Sequence, residues 1–129
     1  MSQRSKARKE ALDQLFQSDL RRSEISIGEV RDYAAEILEG VKTNLSRIDE
    51  LIRTYIQGWD FDRIPSVDRN ILRLAIWELL WSQTPEAVVI DEALKLAAEL
   101  STENSANFVH GVITGELAFS LPVASSRLA

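Results

Sequence analysis

Cysteine is absent from the 129-residue chain, which excludes disulfides and thiolate metal sites and leaves nothing that points to an oxidising compartment. Glycine and proline are scarce, five and three residues, so the chain has few obligatory turns and its regular elements are expected to be long. Long hydrophobic runs are missing. The opening MSQRSKARKEA is charged and no apolar stretch follows it, so neither a signal peptide nor a membrane span is expected, and the reading is a soluble cytoplasmic protein. Histidine occurs once, at His110, with no cysteine or carboxylate at metal-ligand spacing, so neither a metal nor a catalytic base is expected and no cofactor is implied. The glycines form no phosphate-cradling loop. Gly111 and Gly115 fall inside a helical pattern, where their expected use is close helix approach.

What the chain does have is apolar periodicity. Residues recur at three-and-four spacing nearly throughout, without strand-like alternation, and this pattern predicts an all-α protein. The first helix is expected from about Gln3 to Leu20, a second from a capping box at Ser26 and Glu29, and a third from about Ser46 to Gly58. After the connector WDFDRIP, Ser66 is expected to cap a fourth helix whose apolar residues cover more than half its circumference, making it central. A fifth starts at Thr84 and Pro85, and a sixth follows the polar break STENS. The expected organisation is one domain over 1–121, with three-helix sub-bundles at 3–57 and 66–120 and a frayed tail at 122–129.

Charge is distributed unevenly. The net charge of -5 alone argues against a nucleic-acid partner, because phosphate binding needs clustered Lys and Arg. Residues 1–22 nevertheless carry six basic against three acidic side chains, while the remainder carries nine against seventeen. A basic arm is attached to an acidic body. Lys6 and Lys9 fall on the solvent side of the first helix. Arg4 and Arg8 lie on the line of Leu12 and Leu15, as though the helix overhangs the core and its apolar stripe becomes cationic. Glu78 falls inside the apolar arc of the fourth helix and requires a partner that the sequence does not identify. Asp91 and Glu92 point about 100° apart and cannot share a substrate face. Trp81 lies opposite the main apolar arc of its helix.

Four ordered blocks make the pattern specific: ARKEALDQLFQ (Ala7 to Gln17), VDRNILRLAIWEL (Val67 to Leu79), VVIDEALKLAAEL (Val88 to Leu100) and ENSANFVHGVI (Glu103 to Ile113). Together they resemble the NusB family over about Arg4 to Leu117. The resemblance implies an all-helical fold of two three-helix bundles and a non-enzymatic transcription antitermination factor. It also implies binding to the boxA element of ribosomal-operon RNA together with NusE, a small-subunit ribosomal protein, and association with other Nus factors and RNA polymerase. Carried onto this chain, the resemblance assigns Arg4, Lys6, Arg8 and Lys9 to phosphate contacts. Asn104, Ser105, Asn107 and Phe108 at the start of the sixth helix are assigned to unpaired RNA bases, and Asp68 and Arg69 to NusE. The two RNA-binding patches are expected side by side as one strip.

Two other readings are weighed at this level, and the second is ruled out. One is a homodimeric interaction module using Trp81 and the acidic surface. The other, the helical domain of a ribosomal-RNA methyltransferase, requires a cofactor domain and a nucleophilic cysteine that this chain lacks.

Overall fold

In the computed structural model, described for residues 2–56, 60–101 and 104–115, the chain is helical and no strand occurs among these residues. The helices are α1 (Gln3–Arg21), α2 (Asp32–Thr43), α3 (Leu45–Tyr55), α4 (Ser66–Trp81) and α5 (Glu86–Leu100), followed by α6 at residues 104–115. A single 3-10 turn, Phe61–Arg63, precedes α4.

Local chemistry explains most boundaries. The Ser2 side chain accepts from the Ser5 backbone N–H and opens α1, and Arg22 in the left-handed region closes it by donating back to Asp19 and Ser18. The expected capping box at Ser26 does not form, and α2 begins six residues later at Asp32. Gly28, with φ near +62°, places a left-handed residue where a helix started by Ser26 would need right-handed backbone. Ile25 is buried and Ile27 and Val30 pack on the core, so this segment crosses the core as an extended strap. Ser66 also departs from expectation. It is the first residue of α4 rather than its cap, and its hydroxyl donates to Asp19 instead.

Helix α4 is central. It packs against α1, α2, α3 and α5, and every residue from Asn70 to Leu80 is buried. One continuous apolar cluster runs from Ala7 in α1 to Ile113 in α6. The close helix approach assigned to Gly111 and Gly115 is found elsewhere: a Cβ on either would meet nothing within 4 Å among the described residues. At Gly40 a Cβ would stand 1.9 Å from the buried Trp77 indole, so α2 and α4 meet there because the side chain is missing. Among the described residues no helix is long and apolar enough to cross a membrane.

Helices α1 and α5 both lean on α4, and they meet each other mainly through side chains. The seam between them is an open furrow, and Arg4, Arg8 and Lys9, of the residues singled out by sequence, line it.

Candidate nucleic-acid interface

The basic arm splits into an inner and an outer set. Arg8 is the inner member, and its position corrects the expected overhang: it is only 2% exposed. Its Nε and Nη2 donate to the two oxygens of Glu78 at 2.8 and 2.9 Å. The Tyr33 hydroxyl donates to the same carboxylate at 2.6 Å, and the Thr84 hydroxyl at 3.3 Å. Two anomalies of the sequence, an arginine on an apolar stripe and a glutamate in an apolar arc, therefore satisfy each other across 70 residues. Burial alone would lower the Arg8 pKa, but the Glu78 hydrogen bond and charge raise it above the usual value. Burial and the bond to Glu78 raise the Tyr33 pKa, so Tyr33 stays a neutral donor. The Arg8 guanidinium is thus committed to Glu78 in this structure.

The outer set begins at the first turn of α1. Arg4 is exposed, and its guanidinium lies 4.3 Å from the centroid of the Tyr33 ring, a cation–π contact that orders the side chain while leaving its edge open. Lys6 is exposed with no ion-pair partner among the described residues. Lys9, one position beyond Arg8, is half-buried and pairs with Glu99 of α5.

At the other end of α1, Asp19 anchors the start of α4. One of its oxygens accepts from Ser66 Oγ at 2.8 Å, from Arg69 Nε and Nη2 at 3.0 and 2.8 Å, and from Asn70 Nδ2 at 2.9 Å. Burial would raise the Asp19 pKa, but the bonds from Arg69, Ser66 and Asn70 and the charge of Arg73 bring it below the ordinary carboxylate value. Arg69 is thus held half-buried against Asp19. Asp68 is buried, and accepts from Ser105 at 2.9 Å. Asp68 and Ser105 are buried and Arg69 half-buried, and all three are engaged within the chain. Asp68 and Ser105 tie the start of α6 to the first turn of α4. Asn104 and Asn107 do face solvent, and Phe108 is half-buried against the core. The sequence showed all these residue types, but burial depends on contacts 37 to 70 positions away.

The two outer patches are not adjacent. Arg4 and Asp19 are fifteen residues apart on α1, roughly 22 Å at about 1.5 Å per residue, and α6 starts beside the Asp19 end. Three adjoining depressions bridge the interval. The first contains Arg4, Pro85, Val88 and Glu92; the second shares Glu92 with it and holds Ser5, Lys9, Lys95 and Glu99. The third shares Lys9 and continues past Leu12, Phe16, Val67 and Leu100. These depressions form a furrow along the α1–α5 seam. Its α1 wall carries Arg4, Lys9 and Asp13, and its α5 wall carries Glu92, Lys95 and Glu99.

No group of three metal-ligating side chains occurs among the described residues, and the one histidine is exposed on α6. The architecture is that of a small all-helical binding module with a cationic rim. The chain belongs to the NusB family: the family's model matches residues 2–115. It is a non-enzymatic transcription antitermination factor. It is 48% identical over 124 residues to the transcription antitermination protein NusB of Nocardioides sp., covering 88% of this chain and 92% of that protein. Among solved structures it resembles T. maritima NusB, with a TM-score of 0.79, 37% identity and 92% of each chain covered. The same fold is seen in a crystal structure of the antitermination factors NusB and NusE in complex with dsRNA. There the TM-score is 0.78 at 23% identity, with 89% of this chain and 96% of that chain covered.

Proposed function

We propose that this chain binds boxA RNA of ribosomal operons in the α1–α5 furrow, in company with NusE, and so suppresses premature termination by RNA polymerase together with other Nus factors. The cytoplasm is where that work is done. The observation that carries the reading is the exposed cationic turn of Arg4 and Lys6 at the head of the α1–α5 furrow, in a chain of the NusB family whose α6 starts with the exposed amides Asn104 and Asn107. Arg4 and Lys6 serve as phosphate contacts, and Lys9 joins them once released from Glu99. Asn104 and Asn107 offer amides to base edges, and the exposed part of Phe108 offers a stacking surface. Unpaired RNA suits this arrangement, because a single strand can present its bases to a shallow furrow whereas an A-form duplex hides them. The NusE partnership rests on the neighbour that holds both proteins and on the acidic balance of this chain, which complements a basic ribosomal protein. Asp68 and Arg69 act behind that contact, by fixing the end of α4.

A salt series tests the RNA reading. Log affinity for single-stranded boxA RNA, with NusE present, is expected to fall linearly with log salt. The Arg4→Ala/Lys6→Ala double variant should flatten the slope by roughly 0.7 for each phosphate that is no longer neutralised. An unchanged slope removes the α1 turn from the interface, and equal affinity for a duplex of the same sequence removes the single-strand preference.

A further inference from the structure

The second depression of the furrow, a cleft of about 180 Å³, contains an arrangement that RNA binding does not by itself require. Ser5 Oγ donates to both oxygens of Glu92 at 3.0 and 3.1 Å. Lys9 Nζ pairs with Glu99 Oε1, and Lys95 pairs with Asp91 one turn back on its own helix at 2.9 Å. A hydroxyl and two ammonium groups facing one small cleft are the donors that a phosphate oxyanion needs. In the free chain each of them is engaged by a carboxylate. The Arg8 guanidinium, 3.9 Å from Glu92, offsets the Glu92 charge from the buried side, whereas the Glu99 carboxylate is 48% exposed and answers only to Lys9 among the described residues.

We propose that this cleft is an RNA phosphate site closed by an intramolecular counter-ion: Glu99 holds Lys9 where a backbone phosphate binds, and sets the RNA affinity by having to be displaced. The inference rests on the furrow being the RNA-binding face. Its consequence is thermodynamic. A phosphate that meets a free lysine releases condensed cations from the RNA, which steepens the salt dependence. A phosphate that takes Lys9 from Glu99 leaves a bare carboxylate that recruits a cation from solution, so the release is largely cancelled. Lys9 in the native chain then contributes less affinity and less salt slope than a free lysine at the same site.

The test is a double-mutant cycle on RNA binding, with boxA RNA and NusE and each protein measured across a salt series. Glu99→Gln keeps the side-chain volume and removes the charge. It is expected to raise affinity about two- to fivefold, the scale of an exposed ion pair, and to steepen the slope by roughly 0.7. Lys9→Ala is expected to abolish the whole gain in the Glu99→Gln background. A gain that persists without Lys9 would reduce Glu99 to a generic repulsive charge and overturn the proposal, as would Glu99→Gln leaving affinity and slope unchanged in a protein that binds RNA. If neither the native chain nor Glu99→Gln binds, the interface reading itself falls and the counter-ion role falls with it.

Discussion

Arg8 and Lys9 are neighbours in sequence and carry the same charge, yet they face two different regions of the molecule. Arg8 points into the seam of α1, α2 and α4, where Glu78, Tyr33 and Thr84 surround it and water is excluded. Lys9 points about 100° away, into the furrow, where its partner Glu99 is half in solvent. The difference teaches that the charge of the basic arm serves two purposes. The inner part fixes the helices, and the outer part is available to exchange partners. A buried pair is broken only at a large cost, because removing one member strands the other without solvent. An exposed pair trades partners at a cost of about 1 kcal/mol or less.

Breaking the inner region gives the largest expected effect. Arg8→Met takes the bidentate cation from the buried Glu78 carboxylate, and is expected to lower unfolding stability by about 3 to 5 kcal/mol, read as a drop in the urea midpoint. The Arg8→Met/Glu78→Gln double variant removes the stranded charge while keeping an acceptor for Tyr33, and should recover part of that loss. A single-variant cost under about 1 kcal/mol would mean that the inner pair is not the clamp described.

The Asp19 cluster is less deeply buried and gives a smaller effect with a sign set by pH. The Asp19 pKa is lowered in the folded chain, so its ionised form contributes stability that is present above the unfolded carboxylate pKa of about 3.9 and is lost as pH falls through the folded value. Asp19→Asn is expected to cost about 2 to 3 kcal/mol at neutral pH, since Arg69 loses its ionised acceptor. The gap between variant and native stability should shrink as pH drops below about 4. A gap that stays constant from neutral pH down to about pH 3 would contradict the assignment of that stability to the ionised carboxylate.

These contrasts also explain how far the sequence could be read. Helix number, the central place of α4 and the extents of α1 and α5 follow from apolar spacing, a local property that α-helical geometry converts directly into faces. Caps were less legible, because a serine can donate elsewhere: Ser66 is taken by Asp19, and Gly28 prevents the helix that Ser26 suggested. At the candidate site, the exposed Arg4, Lys6, Asn104 and Asn107 were recoverable from helical phase and family blocks. The fates of Arg8, Asp68, Arg69 and Ser105 were not, since each depends on a partner far along the chain. A signal was nonetheless present for one of them. A glutamate and an arginine that both violate the apolar pattern of their helices are candidates to neutralise each other, and Glu78 and Arg8 do.

Tyr33 sharpens the comparison, because the two regions meet on this one side chain: its hydroxyl donates to Glu78 on the inside, and its ring lies beneath Arg4 on the outside. Tyr33→Phe removes the inner bond and keeps the outer stacking. Glu78 retains Arg8 and Thr84 as donors, so the expected loss of stability is small, about 1 to 2 kcal/mol. RNA affinity and its salt slope should stay at the native values, because Phe presents the same face to the Arg4 guanidinium. Tyr33→Leu removes both interactions. It should show a comparable or larger stability loss together with weaker RNA binding, since Arg4 must then be ordered at the moment of binding rather than beforehand. If Tyr33→Phe and Tyr33→Leu bind RNA equally, the ring does not organise Arg4, and the inner and outer regions of α1 are independent of each other.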